Sequence, residues 1–91
     1  MDEEIKQFLD KVIAVDTDSR WLYVGTLKGI GKGFLVLEDV DAHDLTETPS
    51  TRDEYLIAMK NNGLVVNRRR VVVNRERVVG LSLFQDVLVE R

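Results

Sequence analysis

Gly25 stands inside a run, Trp21 to Lys28, that otherwise reads as one uninterrupted β-strand. The run is rich in aromatic and β-branched residues, which suit a pleated, half-buried surface. Glycine inside a strand marks a bulge, a sharp bend or the close approach of another backbone. Strands that bend in this way can close a small barrel, whereas flat strands cannot. The rest of the chain supplies partners for such a strand. Val12 to Val15 is a short apolar run, and Asp16-Thr17-Asp18-Ser19-Arg20 after it is a cluster of turn formers. Phe34 to Val40 reads as a third strand, reached through the glycine-rich loop Gly29 to Gly33. Arg70 to Asn74 and Val78 to Phe84 are the last two, joined by a tight connection at Arg75-Glu76. Val79, Leu81 and Leu83 alternate onto one face of the final strand.

Two segments read as helical. Ile5, Phe8 and Leu9 fall at helical spacing within Asp2 to Lys11, and Glu3 and Glu4 occupy the first turn, where the helix dipole favours acids. The segment Asp41 to Arg52 is polar and irregular and contains the single proline, Pro49; His43 within it is expected to be exposed. Ser50 or Thr51 can cap a helix that ends before Gly63, with Tyr55, Leu56 and Met59 as its apolar face. Leu64 to Val66 is a short extended piece. The expected fold is therefore mostly β: an N-terminal helix, five short bent strands closing a small barrel, and a helical insertion between strands three and four.

With 91 residues the chain is expected to form one domain, 1–91. A chain this short buries a limited fraction of its surface, so association with other chains is a natural supplement. There is no cysteine and one histidine, which speaks against disulfides, a thiolate nucleophile and a zinc site. No apolar run reaches membrane-spanning length, and the acidic start is unlike a signal peptide. A cytoplasmic protein is expected. No Ser-His-Asp ordering, paired carboxylates or metal spacing emerges, so neither an enzyme, a cofactor nor a small-molecule substrate is expected. The net charge is −3, but it is unevenly spread. Residues 1–20 carry six acids against three bases, while residues 60–77 carry six bases against one acid, Glu76. Such asymmetry marks either an interaction face or a solvated strand edge that resists unwanted pairing.

This order of elements resembles the Sm/LSm family. The first Sm motif is matched by Asp18-Ser19-Arg20, by Gly25-Thr26-Leu27-Lys28-Gly29, and by Leu35-Val36-Leu37-Glu38-Asp39-Val40. The second aligns on Val73-Asn74-Arg75 followed by Glu76, Arg77, Val78 and Val79, where the family has an Arg-Gly pair. The divergence of these motifs resembles a prokaryotic Sm-like protein more than a spliceosomal core subunit. The resemblance implies a homo-oligomeric ring, a hexamer or heptamer, that binds single-stranded, uridine-rich RNA through two loops. Those loops here offer Lys32, Gly33 and Phe34, and Asn74, Arg75 and Arg77. Phe34 stands where the family has an asparagine, and the first loop lacks both the expected Asp and Asn. A second function is therefore carried alongside: a protein-assembly module that keeps the barrel, has no working RNA pocket, and joins neighbours through the edges of its last two strands. A third is a monomeric adaptor that uses the insertion Asp41 to Asn62 as its binding element.

Overall fold

A computed structural model describes residues 2–89. Helix α1 spans Asp2–Lys6, and strands β1, β2 and β3 span Val12–Thr17, Trp21–Ile30 and Phe34–Asp44. Helix α2 spans Arg52–Asn62, and β4 and β5 span Arg68–Asn74 and Val78–Leu83. The strands form one antiparallel sheet in the order β4-β3-β2-β1-β5, so β4 and β5 are its two edges.

Both faces of the sheet are covered. On one face Ile13, Val15, Leu27, Leu35, Leu37, Val40 and Val73 form a buried cluster, capped by Ile5 and Phe8. On the other, Leu56 and Met59 of α2 pack on Ala14, Leu22 and Val24. This double coverage explains why Ile13-Ala14-Val15 is apolar without alternation.

The sharp bend lies where Gly25 faces β3. Val24 pairs with Asp41 and Thr26 with Glu38, so two residues of β3, Asp39 and Val40, oppose Gly25. Asp39 takes a left-handed conformation, φ 51°, in this bulge. A Cβ on Gly25 would lie 2.9 Å from Val40 Cγ2 and 3.0 Å from the Glu38 carbonyl oxygen. Glycine is required here for close approach.

Four local expectations are corrected. The N-terminal helix stops at Lys6, and residues 7–11 continue as tight turns. Asp10, at φ 65°, donates its N–H to the Leu27 carbonyl, which ties the chain to β2 and ends the helix. Second, β3 runs on through the supposedly irregular start of the insertion to Asp44. Third, His43 is a half-buried strand residue whose ring stacks on Tyr55, with centroids 3.6 Å apart. Fourth, Val79 does not share the inward face of Leu81 and Leu83. Asp16 pairs with Gly80 and Thr17 with Val78, so Val79 is the extra residue of a bulge and is 70% exposed, while Val78 packs inward.

The insertion is firmly attached. Thr51 and Glu54 form a reciprocal capping box at the start of α2, and Gly63 caps its end at φ 87°. Arg52 donates to the carbonyls of Thr17 and Ser19. The Asp41 carboxylate, 1% exposed, accepts from the Tyr55 hydroxyl at 3.0 Å and from the Val65 N–H at 2.9 Å.

Candidate nucleic-acid interface

The connection between β2 and β3 is short, and Gly31 N–H closes it on the Phe34 carbonyl at 2.8 Å. The connection between β4 and β5 is a single 3-10 turn, Arg75–Arg77. Strand pairing brings the two together, because Phe34 at the start of β3 lies opposite Asn74 at the end of β4. The Arg75 N–H donates to the Gly33 carbonyl at 3.0 Å, and its guanidinium Nη1 donates to the Gly31 carbonyl at 2.6 Å. Five of the six residues singled out from the sequence, Lys32, Gly33, Phe34, Asn74 and Arg75, therefore form one cluster.

Arg77 is directed elsewhere. Its Nε pairs with Asp18 at 3.0 Å, and its carbonyl accepts the Asp18 N–H. This fastens the 3-10 turn to the turn between β1 and β2.

The side chains of the cluster are partly engaged within the chain. Phe34 is 45% exposed and its ring lies over Gly31, where an added Cβ would sit 2.6 Å from the ring. Asn74 Oδ1 accepts from the Glu76 N–H and caps the 3-10 turn. Lys32 is exposed and has no ion-pair partner among the described residues. The cluster thus offers one unpaired ammonium, an accessible aromatic ring and the remaining donors of Asn74, which suit a phosphate and a stacked base. Arg68, Arg69 and Arg70 extend the positive charge along the exposed edge strand β4.

Reading the sequence did not reveal the clamp of Arg75 on Gly31, because the two are far apart in the chain. It also passed over Asn67. The Asn67 amide donates to the Ala42 carbonyl at 2.8 Å and accepts the Ala42 N–H at 3.0 Å. The recurrence of Val-Asn-Arg at 66–68 and 73–75 was the available signal: in both copies the asparagine side chain satisfies backbone groups.

The architecture is that of the Sm-like fold: an N-terminal helix, five bent antiparallel strands, and here a helix between the third and fourth. Solved structures similar to it bear this out. An Sm protein of Pyrococcus abyssi in complex with a uridine heptamer superposes with a TM-score of 0.58 at 20% identity, over 89% of this chain and 93% of that one. An Sm-like protein of Archaeoglobus fulgidus gives 0.61 at 17% identity, over 90% and 91%. A chain of the NatC complex bound to a Gag peptide and CoA gives 0.57 at 20% identity, over 94% and 99%. No protein-family model and no curated protein matches the sequence.

Proposed function

We propose that this chain is a non-enzymatic Sm-like module of the cytoplasm. It joins like chains edge to edge through β4 and β5 into a hexameric or heptameric ring, and it holds single-stranded, uridine-rich RNA at the clustered loops. The observation that carries this reading is the convergence of Lys32, Phe34, Asn74 and Arg75 at one end of a sheet whose two edges are open. The uridine heptamer bound by the Pyrococcus protein supports the choice of RNA. Exposed Val72 on β4 and Val79 on β5 support assembly, since apolar side chains on open edges favour a covered edge.

Native mass spectrometry, with and without a short oligouridylate, tests both parts. A ring-sized ion carrying RNA is expected, with affinity falling as salt rises. Lys32→Glu should abolish RNA binding without disturbing the fold. Arg75→Ala should weaken it as well, in part because the Gly31 loop loses its clamp.

A second reading is favoured by the internal use of Arg75 Nη1 and Asn74 Oδ1, and by the likeness to a chain of the NatC complex. On this reading the barrel is a protein-assembly module with no RNA site. A ring that ignores the oligouridylate under low salt would select it.

A further inference from the structure

A cavity of about 450 Å³ lies at the far end of β1 and β5, lined by Lys11, Val12, Lys60, Leu83, Phe84 and Gln85. None of these belongs to the loop cluster. Its lining combines the apolar Val12, Leu83 and Phe84 with two lysines. The Lys60 Nζ donates to the carbonyls of Phe84 and Gln85 at 3.1 and 3.3 Å and stands 5.1 Å from the centroid of the Phe84 ring. Two carbonyls hold this cation in place without neutralising it. No carboxylate lines the cavity. The acid next to Lys11 in sequence, Asp10, is paired with Lys28 at 3.0 Å. Two positive charges therefore border an apolar hollow in a chain that is acidic overall.

We infer that this cavity docks an extended segment of a partner protein in which a bulky apolar side chain adjoins a carboxylate. The apolar side chain rests on Val12, Leu83 and the Phe84 ring, and the carboxylate meets Lys60 and Lys11. Charge complementarity selects the acidic segment, because complementary potentials steer the encounter and suppress basic partners. Shape favours a peptide over a free molecule. Small-ligand sites enclose roughly 70–90% of their ligand, whereas this cavity opens to solvent along one side. The inference rests on neither reading above, since a monomer that ignores RNA has the same cavity.

The test is fluorescence anisotropy of a labelled decapeptide alternating glutamate with leucine and phenylalanine, titrated with the full chain. Saturable binding is expected, weakened at least tenfold by Lys11→Glu and unchanged by Arg69→Glu. A peptide with lysine in place of glutamate should bind neither the parent chain nor the Arg69→Glu variant. Lys11 is exposed, so its replacement leaves folding intact, which circular dichroism verifies. Three results would each overturn the inference: no saturable binding at low salt, equal losses from Lys11→Glu and Arg69→Glu, or an oligouridylate whose affinity falls as far as that of the peptide in Lys11→Glu. The last would assign the two lysines to a nucleic-acid backbone.

Discussion

The side-chain amide of Asn67 bonds both backbone polar groups of Ala42, as a neighbouring strand residue would. Ala42 lies in the part of β3 that extends beyond the pairing with β4, whose register begins at Val40 and Arg68. Asn67 thus continues the ladder by one rung with a side chain. Asn67→Ala leaves the Ala42 N–H and carbonyl without these bonds, and a buried polar group left unsatisfied costs about 1–3 kcal/mol. Urea unfolding should report a loss of that order. Asn67→Asp should recover little, because a carboxylate cannot donate to the carbonyl.

Gly25→Ala is expected to destabilise the barrel by about 1–3 kcal/mol, the usual cost of overpacking a close contact. The new methyl would meet the Glu38 carbonyl and the Val40 Cα as well as the Val40 side chain, so no rotamer change relieves it. Gly33→Ala is the control, since a Cβ there meets nothing within 4 Å. An equal urea midpoint for Gly25→Ala and the parent chain would refute the close-approach account.

The Tyr55 phenol is pushed up to about 12 by burial and by its hydrogen bond to the Asp41 carboxylate. Its folded value lies above the ordinary value near 10, so the folded state holds the proton more tightly. The resulting stability is complete below pH 10 and is lost as pH rises from about 10 to 12. Burial raises Tyr23 as well and acts in the same direction. Urea midpoints measured from pH 9 to 12 should fall less steeply for Tyr55→Phe than for the parent chain. Parallel slopes would mean that Tyr55 ionises freely.

Val72 and Val79 are 60% and 70% exposed on the two edge strands. Lysine at either position should cost the isolated chain little, while a ring built on these edges would lose its contact. Light scattering should then show smaller particles with unchanged circular dichroism. An unchanged mass for both variants would place the interface elsewhere.

Several features were legible in the sequence because they are local. The N-cap of α2, read as Ser50 or Thr51, and its glycine stop follow from backbone groups satisfied within a few residues, whereas the reciprocal bond from Glu54 emerged only in the structure. The bend at Gly25 was legible as a glycine in a strand, although its counterpart, the left-handed Asp39, was not. Aspartate adopts the left-handed region more readily than most residues, but only the opposing backbone shows that Asp39 does so within β3. Val79 was misplaced for the same reason: a strict two-residue period holds until a partner strand inserts a bulge.

The amino-acid sequence by itself determined the order of elements, the glycine bend, the glycine stop of α2 and the basic character of the fourth strand. Each depends on propensity, periodicity or composition over a few neighbours. Only the tertiary structure decided that Arg75 clamps Gly31, that His43 stacks on Tyr55, that Asp41 ties the insertion to the sheet, and that Lys11 and Lys60 share a cavity. Those pairs are separated by many residues, and they meet because the strongly bent sheet carries their strands and helices to common ends of the barrel.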